Sequence, residues 1–315
     1  MFDVITIGGA TADIFVKSDS LVVKQDKDFN TGLSISLAHS SKNEVSQSLI
    51  CSGGGATNTA VSFSRLGLKP TCLSLLGNDP LGEYVFQELG KNRVDTSFLI
   101  HPRGEKTDYS IILVAPDGGR AILINRGETH LEEKHITWEN LNQNKWFYIS
   151  SLEGNIDLLE KLIGFAKENN IKVALNPGNR ELSQKNRLLP LIKHIEFLLL
   201  NRTESEDLLQ LDIDNSSFWT KLKSLGANIA AVTNGREGAH VLTVDGQNLY
   251  SPIINTTPVD ETGAGDAFGS TFVAALIHQK TIEESLFWGI KNSASVVSFM
   301  GAKTGLLTLD QVNAT

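Results

Sequence analysis

Strand-length apolar runs alternate with helix-period segments along most of this chain, and that alternation constrains the fold more than any other feature. Val4–Ile7 precedes a helical pattern over 56–67, Thr71–Leu76 one over 81–90, and Trp146–Ile149 one over 156–168, with further short runs at Val173–Leu175 and Phe197–Leu200. The pattern predicts an α/β protein with a mostly parallel central sheet flanked by helices on both faces. Ile195–Leu200 and Ile229–Val232 are nearly continuous in hydrophobicity, as expected of strands covered on both sides.

Composition narrows the class. A chain of 315 residues, 41% hydrophobic and 20% charged, can bury a large core without help from disulfides or metals. Cys51 and Cys72 lack CxxC or Cys/His spacing, so neither a structural zinc site nor a disulfide framework has support, and a reducing compartment is expected. The segment from Met1 to Gly8 has no basic stretch followed by a long apolar one, and no run approaches the roughly 18 apolar residues of a membrane span. The expectation is a cytoplasmic protein, free of the membrane, in which the Asn-x-Ser/Thr triplets at Asn201, Asn215 and Asn255 are incidental. A formal net charge of −8 argues against nucleic-acid binding. Binding of a phosphate stays open, because amides at a helix start and a metal ion can hold an anion without a basic surface.

Two regions break the alternation. Residues 17–51 are polar and serine-rich with short alternating pieces such as Leu33–Leu37, and Tyr109–Ala115, Asp117-Gly118-Gly119 and Arg120–Ile124 read as a β-hairpin. Together they are expected to form a small β-sheet lid inserted into the main domain, with a long surface loop as the alternative. The boundaries that follow assign 1–15, 52–104 and 127–315 to the α/β core, and 16–51 and 105–126 to the lid.

The strongest local signal is Val259-Asp260-Glu261-Thr262-Gly263-Ala264-Gly265-Asp266-Ala267-Phe268, which runs into the apolar-periodic segment Phe268–Ile277. Gly263 and Gly265 then sit at a helix entrance, where backbone comes close to a ligand and first-turn amides lack intrahelical partners. Asp266 in that turn stands where a base would take a proton from an attacking hydroxyl; a helix-dipole preference for Asp would give the same residue. Competing motifs fail: Gly301-Ala302-Lys303-Thr304 has the Lys-Thr of a P-loop without its preceding loop, Gly53–Asn58 lacks the third glycine of a dinucleotide fingerprint, and no Gly-x-Ser-x-Gly occurs. Gly53-Gly54-Gly55-Ala56-Thr57-Asn58 starts a second helix, either as a hinge with Asn58 offering donors and an acceptor to a polyol, or as a turn that lets the helix pack closely. Asn201 and Glu204 read either as a capping box or as ligand-edge residues at a strand's carboxyl end.

These pieces, in this order, resemble the ribokinase/PfkB family of carbohydrate kinases from Asp3 to about Leu307. The resemblance rests on Gly53–Asn58 through Arg65-Leu66-Gly67 and on Asp260-x-Thr262-Gly263-Ala264-Gly265-Asp266-Ala267-Phe268. It implies a ribokinase-like fold whose core binds nucleotide and substrate, with Asp266 as catalytic base and the amides around Gly263, Ala264, Gly265 and Asp266 stabilising the transferring phosphoryl group. It further implies that Asp13 and Asn58 bind substrate hydroxyls and that Gly53 and Gly54 form the lid hinge. Asn176, Asn201, Glu204, Thr233, Gly235 and Gly238 would line the nucleotide, with Glu204 helping to place Mg²⁺ through water. Asp260 and Thr262, with carbonyls near Gly301 and Ala302, resemble the loop that holds an activating monovalent cation such as K⁺ in many members, although Gly305 stands where ribokinases tend to carry a serine. The implied reaction is transfer from ATP to a primary hydroxyl of a sugar or sugar derivative, by a homodimer paired through its lids. Ribokinases read Gly-Gly-Lys-Gly-Ala-Asn at the first signature, so ribose is not assigned, and a nucleoside kinase of the same family is the alternative. Arg120 and Arg126, near the second lid piece, are candidates to meet an acidic or phosphorylated substrate. A non-catalytic sugar or nucleotide sensor is the reading from another class, and the intact Asp266, Gly263, Gly265 and Glu204 speak against it.

Overall fold

The computed structural model describes residues 1–29, 31–117, 119–127 and 130–314. Gly118, which the hairpin turn was expected to use, lies outside the described residues. In chain order the strands are β1 (Val4–Ile7), β2 (Thr11–Lys17), β3 (Val22–Gln25), β4 (Leu33–Ser36), β5 (Gln47–Gly53), β6 (Pro70–Leu75), β7 (Leu99–Ile100), β8 (Asp108–Val114), β9 (Arg120–Asn125), β10 (Trp146–Ile149), β11 (Lys172–Leu175), β12 (Phe197–Asn201), β13 (Ile229–Thr233), β14 (Ala239–Thr243) and β15 (Asn248–Ser251). The helices are α1 (Gly55–Arg65), α2 (Pro80–Lys91), α3 (Ile156–Glu168), α4 (Asn179–Leu182), α5 (Lys185–Ile192), α6 (Arg202–Leu209), α7 (Phe218–Ser224), α8 (Ala264–Ile277), α9 (Ile282–Val296) and α10 (Leu309–Asn313).

The main sheet runs β7-β6-β1-β10-β11-β12-β13-β14-β15. Its pairings from β7 to β13 are all parallel, and only β13–β14 and β14–β15 are antiparallel. The expected α/β sheet is thus present, because strand-length apolar runs joined by helices can pair only through crossovers. Alternate residues of each strand feed different cores. Ile5, Ile7, Phe147, Ile149, Leu198 and Leu200 pack beneath α3 and α5. Val4, Trp146, Tyr148, Phe197 and Leu199 pack beneath α1, α8 and α9. Each fully buried Leu, Ile or Phe contributes roughly 1.5–3 kcal/mol of transfer free energy, so the two faces together dominate the stability. Phe272 of α8 stacks on Phe197 of β12 with ring centroids 4.6 Å apart, which pins α8 to the sheet.

A second sheet, β5-β2-β8-β9, stands apart from the first. The expected hairpin is β8–β9, in register from Tyr109↔Asn125 to Val114↔Arg120. β2 and β5 pair antiparallel from Thr11↔Gly53 to Lys17↔Gln47, and the chain between them forms the β3–β4 hairpin. The small sheet therefore draws on 11–15 and 52–53, which the sequence-derived boundaries leave in the core. The reason is that β2 alternates as Thr-Ala-Asp-Ile-Phe-Val-Lys with Asp13 on the inward face, and a buried carboxylate hides the strand's hydrophobic period. Among the described residues no helix is long and apolar enough to cross a membrane.

Candidate active site

Because β6, β1, β10, β11 and β12 run parallel, their carboxyl ends share one edge, where α/β sheets bind ligands. Gly8 and Gly9 after β1, Ser150 and Ser151 after β10, Asn176 after β11 and Glu204 after β12 line a cleft of about 400 Å³. Its other wall is the small sheet, through Thr11, Asp108 and Ser110. Asp266 and Gly54 also line it, so residues more than two hundred positions apart in the sequence meet in one cavity.

Asp266 reaches the cleft because α8 packs on α1 along an i, i+4 seam. Asn58 and Ser62 on α1 face Asp266 and Ser270 on α8: Asn58 Nδ2 donates to Asp266 Oδ2 at 2.8 Å, and the Ser62 and Ser270 hydroxyls meet at 2.7 Å. No described residue donates to Asp266 Oδ1. Burial pushes the Asp266 carboxyl above the usual carboxylate range, against the Asn58 hydrogen bond and the charge of Lys303, which pull it down. A carboxylate with raised proton affinity and one free oxygen on a cleft is equipped to accept a proton from a hydroxyl.

Lys303 is the residue that sequence reasoning missed. Its ammonium is buried and donates to Asn58 Oδ1 at 2.7 Å, to Thr57 Oγ1 at 3.0 Å and to the Ser52 carbonyl, which uses all its donors. Lys303 thereby fixes the Asn58 amide, oxygen toward itself and nitrogen toward Asp266. Asn58 consequently has one N–H left for a substrate, fewer free groups than its sequence position promised. Burial pulls the Lys303 ammonium below its ordinary value, while the acidic groups around it push it back up. The available signal was that Lys303 is the only charged residue between Lys291 and Asp310.

Asp13 on β2 is 8% exposed, bonded to Thr11 Oγ1 at 3.3 Å, and burial raises its carboxyl, with Lys303 as the largest opposing influence. A Cβ on Gly53 would stand 2.0 Å from Asp13 Oδ2, so glycine is required for that carboxylate to lie against β5. Gly54 caps α1 at φ 90°, and Gly263 caps α8 at φ 78° with a would-be Cβ 2.3 Å from Ala302 Cβ. Only glycine turns there at low cost, and the turn leaves the Gly265 and Asp266 amides as unpartnered first-turn donors, while Ala264 N donates to the Glu261 carbonyl at 3.3 Å. Nothing lies within 4 Å of a Cβ built on Gly265, so the helix start is open to a ligand.

Asn201 and Glu204 form the capping box that was one of the two readings: Asn201 Oδ1 accepts from Glu204 N at 2.9 Å, and Glu204 Oε2 from Asn201 N at 2.8 Å. Glu204 nevertheless lines the cleft, and burial raises its carboxyl against the Asn201 amide. Asn176 Nδ2 donates to the Leu199 carbonyl at 3.2 Å. Strand pairing sets Asn201 beside Thr233, and Gly235 and Gly238 turn the chain back into β14. Asn201, Thr233, Gly235 and Gly238 do not line the cleft itself but lie along the same sheet edge, and Asp13, Gly53, Asn58, Gly263, Ala264 and Gly265 are not among its lining residues either. Among the described residues no cluster of three or more His, Cys, Asp or Glu could hold a metal unaided. Mg²⁺ commonly binds through one or two carboxylates plus substrate phosphates, and Glu204, with no described donor on Oε1, fits that demand.

Neither arginine offered to an acidic substrate is free. Arg126 pairs with Glu153, which also binds His130. Arg120 Nη1 donates to Asp260 Oδ1 and, at 3.1 Å, to Thr262 Oγ1, the two side chains expected to hold a monovalent cation. Burial pushes the Cys51 thiol up to about 12, so it is no nucleophile.

The family model for pfkB family carbohydrate kinases matches residues 28–309. The ribokinase of Staphylococcus aureus is 26% identical over 271 residues, covering 83% of this chain and 86% of that protein. The nucleoside kinase of Methanocaldococcus jannaschii is 29% identical over 266 residues, covering 82% of this chain and 83% of that protein. The structure of Arabidopsis thaliana ribokinase complexed with ribose and ATP superposes with a TM-score of 0.80 at 21% identity, over 99% of this chain and 97% of that one, and so shares the ribokinase-like fold. With the family model spanning most of the sequence, and Gly54, Gly55 and Asp266 of the two signatures lining one cleft, the chain belongs to the pfkB family of carbohydrate kinases.

Proposed function

We propose that this protein transfers the γ-phosphoryl group of ATP to a primary hydroxyl of a sugar or sugar derivative bound in the cleft. The observation that carries the reading is the Asn58–Asp266 pair at the start of α8, with Asp266 Oδ1 open to the cavity. Asp266 takes the proton of the acceptor hydroxyl as its oxygen bonds to phosphorus and the bond to the ADP oxygen breaks. The amides of Ala264, Gly265 and Asp266, behind the Gly263 turn, meet the charge on the phosphoryl oxygens. Asn58 and Asp13 hold acceptor hydroxyls, with Gly53 and Gly54 flexing as the small sheet closes. Asn176, Asn201, Thr233, Gly235 and Gly238 line the nucleotide. Glu204 would help to hold Mg²⁺, whose charge would offset that of the phosphate oxygens.

Homodimerisation through the small sheet is supported by an apolar row, Ile50, Ile14, Ile111 and Leu123, that crosses all four strands; Ile50 is 45% and Leu123 58% exposed. A nucleoside as acceptor is the second reading, favoured by the 29% identity to the M. jannaschii nucleoside kinase and by the missing lysine of the first signature.

The test is ADP release with ATP and Mg²⁺ against pentoses, hexoses, keto-deoxy sugar acids and nucleosides, with Asp266→Asn as control. Turnover on a sugar that vanishes in the variant supports the first reading, turnover only on nucleosides the second. Saturable binding without turnover by the wild type would replace both with a sensor.

A further inference from the structure

We infer that the guanidinium of Arg120 takes the place of a monovalent cation at the loop leading into α8, so that this chain works without one. Asp260 is 8% exposed and its carboxylate is fully engaged. Oδ1 accepts from Thr262 N at 3.0 Å, from Thr262 Oγ1 at 2.7 Å and from Arg120 Nη1, while Oδ2 accepts from Gly301 N at 2.9 Å. A dehydrated alkali ion would need the Asp260 and Thr262 oxygens as ligands, and both already face Arg120 Nη1. The residues present therefore do not fit the ion that the resemblance implied. They fit a cation that is covalently part of the chain.

The location gives the substitution a consequence. Asp260 lies shortly before Gly263, whose φ of 78° sets the direction of the α8 amides and of Asp266. Gly263 is in tight contact with Ala302, next to the Gly301 amide that Asp260 also holds, so 260–263 and 301–302 form one rigid corner. A potassium ion would stabilise that corner from solution. Arg120 stabilises it from β9, which belongs to the small sheet, and so ties the position of that sheet to the shape of the anion hole. Arg120 is a positioning residue in this scheme and touches neither substrate.

The test compares wild type, Arg120→Ala and Arg120→Lys in potassium, sodium and tetramethylammonium chloride at one ionic strength. It reads initial rate, melting temperature and binding of thallium(I) as a potassium probe by NMR. Wild type and Arg120→Lys are expected to show no preference among the cations and no thallium binding. Arg120→Ala is expected to lose about tenfold in rate in tetramethylammonium, to recover in potassium, and to bind thallium. Potassium-specific activation or thermal stabilisation of the wild type would overturn the inference. So would an Arg120→Ala protein that keeps its full rate in tetramethylammonium, or one whose loss potassium does not restore. If Arg120→Ala does not fold, wild type and Arg120→Lys still decide. The rate arm rests on the kinase reading; melting and thallium binding do not, so failure of one is distinguishable from failure of the other.

Discussion

Asp266, Asn58 and Lys303 form a chain in which each member sets the state of the next. Replacing Asp266 by Asn keeps the acceptor for Asn58 and removes the proposed base, so turnover should fall by about 10²–10⁴-fold. The same change should raise the melting temperature. A carboxyl whose folded pKa is raised costs stability wherever it is ionised, above that pKa, and asparagine removes the cost. A variant that melts at or below the wild-type temperature would contradict the burial argument. The pH profile tests Lys303. The rate should fall as pH drops through the raised pKa of Asp266, because the protonated form cannot accept a proton. Lys303 lowers that pKa, so Lys303→Met should move the acidic limb to higher pH; an unmoved limb would show that the ammonium acts only in packing.

At the scale of elements, α8 must combine a buried apolar body with a polar, open first turn, and Gly263 makes the junction. Gly263→Ala puts a Cβ against Ala302 in a left-handed conformation, which costs on the order of 1–3 kcal/mol for the backbone alone. The expected result is a large loss of turnover with a lower melting temperature, and near-normal activity would mean that the amides do not form the anion hole. The start of α6 separates two roles. Asn201→Ala should cost about 1 kcal/mol through the lost cap, whereas Asn201→Ser keeps the cap. If Asn201→Ser restores stability but not turnover, Asn201 acts on the nucleotide as well as on the helix. The outward row on the small sheet is tested by Leu123→Lys, which should shift the protein from dimer to monomer in analytical ultracentrifugation; a wild type that already sediments as a monomer would end that proposal.

For the whole molecule, the two sheets enclose the cleft and differ in how they are held. The main sheet is covered by helices on both faces, while the small sheet has one side in contact through Phe15, Ile112 and Met300 and the other exposed. The small sheet is thus the part proposed to close over the cleft, and the β3–β4 hairpin is inserted between two of its strands. An acceptor sugar that closes it should slow proteolysis between β2 and β5, and a cleavage rate that stays the same with a saturating acceptor would argue against closure. Ligand linkage gives an independent scale. A nucleotide at about 100 times its Kd should stabilise the fold by about 2.7 kcal/mol.

The sequence by itself determined the main sheet, because strand-length apolar runs and helical spacing are local, and β1, β10 and α3 fall on the residues their periodicity marks. It also marked Asp266, the glycines before it and the Gly53–Asn58 turn, since the anion hole proposed at this helix start needs particular residue types at adjacent positions. What only the tertiary structure decided is which distant groups neutralise the charges so assembled. Lys303 meets Asn58 and Arg120 meets Asp260 across long sequence separations, and no local period records such a pairing. Buried charge must find a partner, yet the partner's place in the chain is fixed by packing. The same holds for β2, whose strand became visible only when Asp13 was seen lying against Gly53.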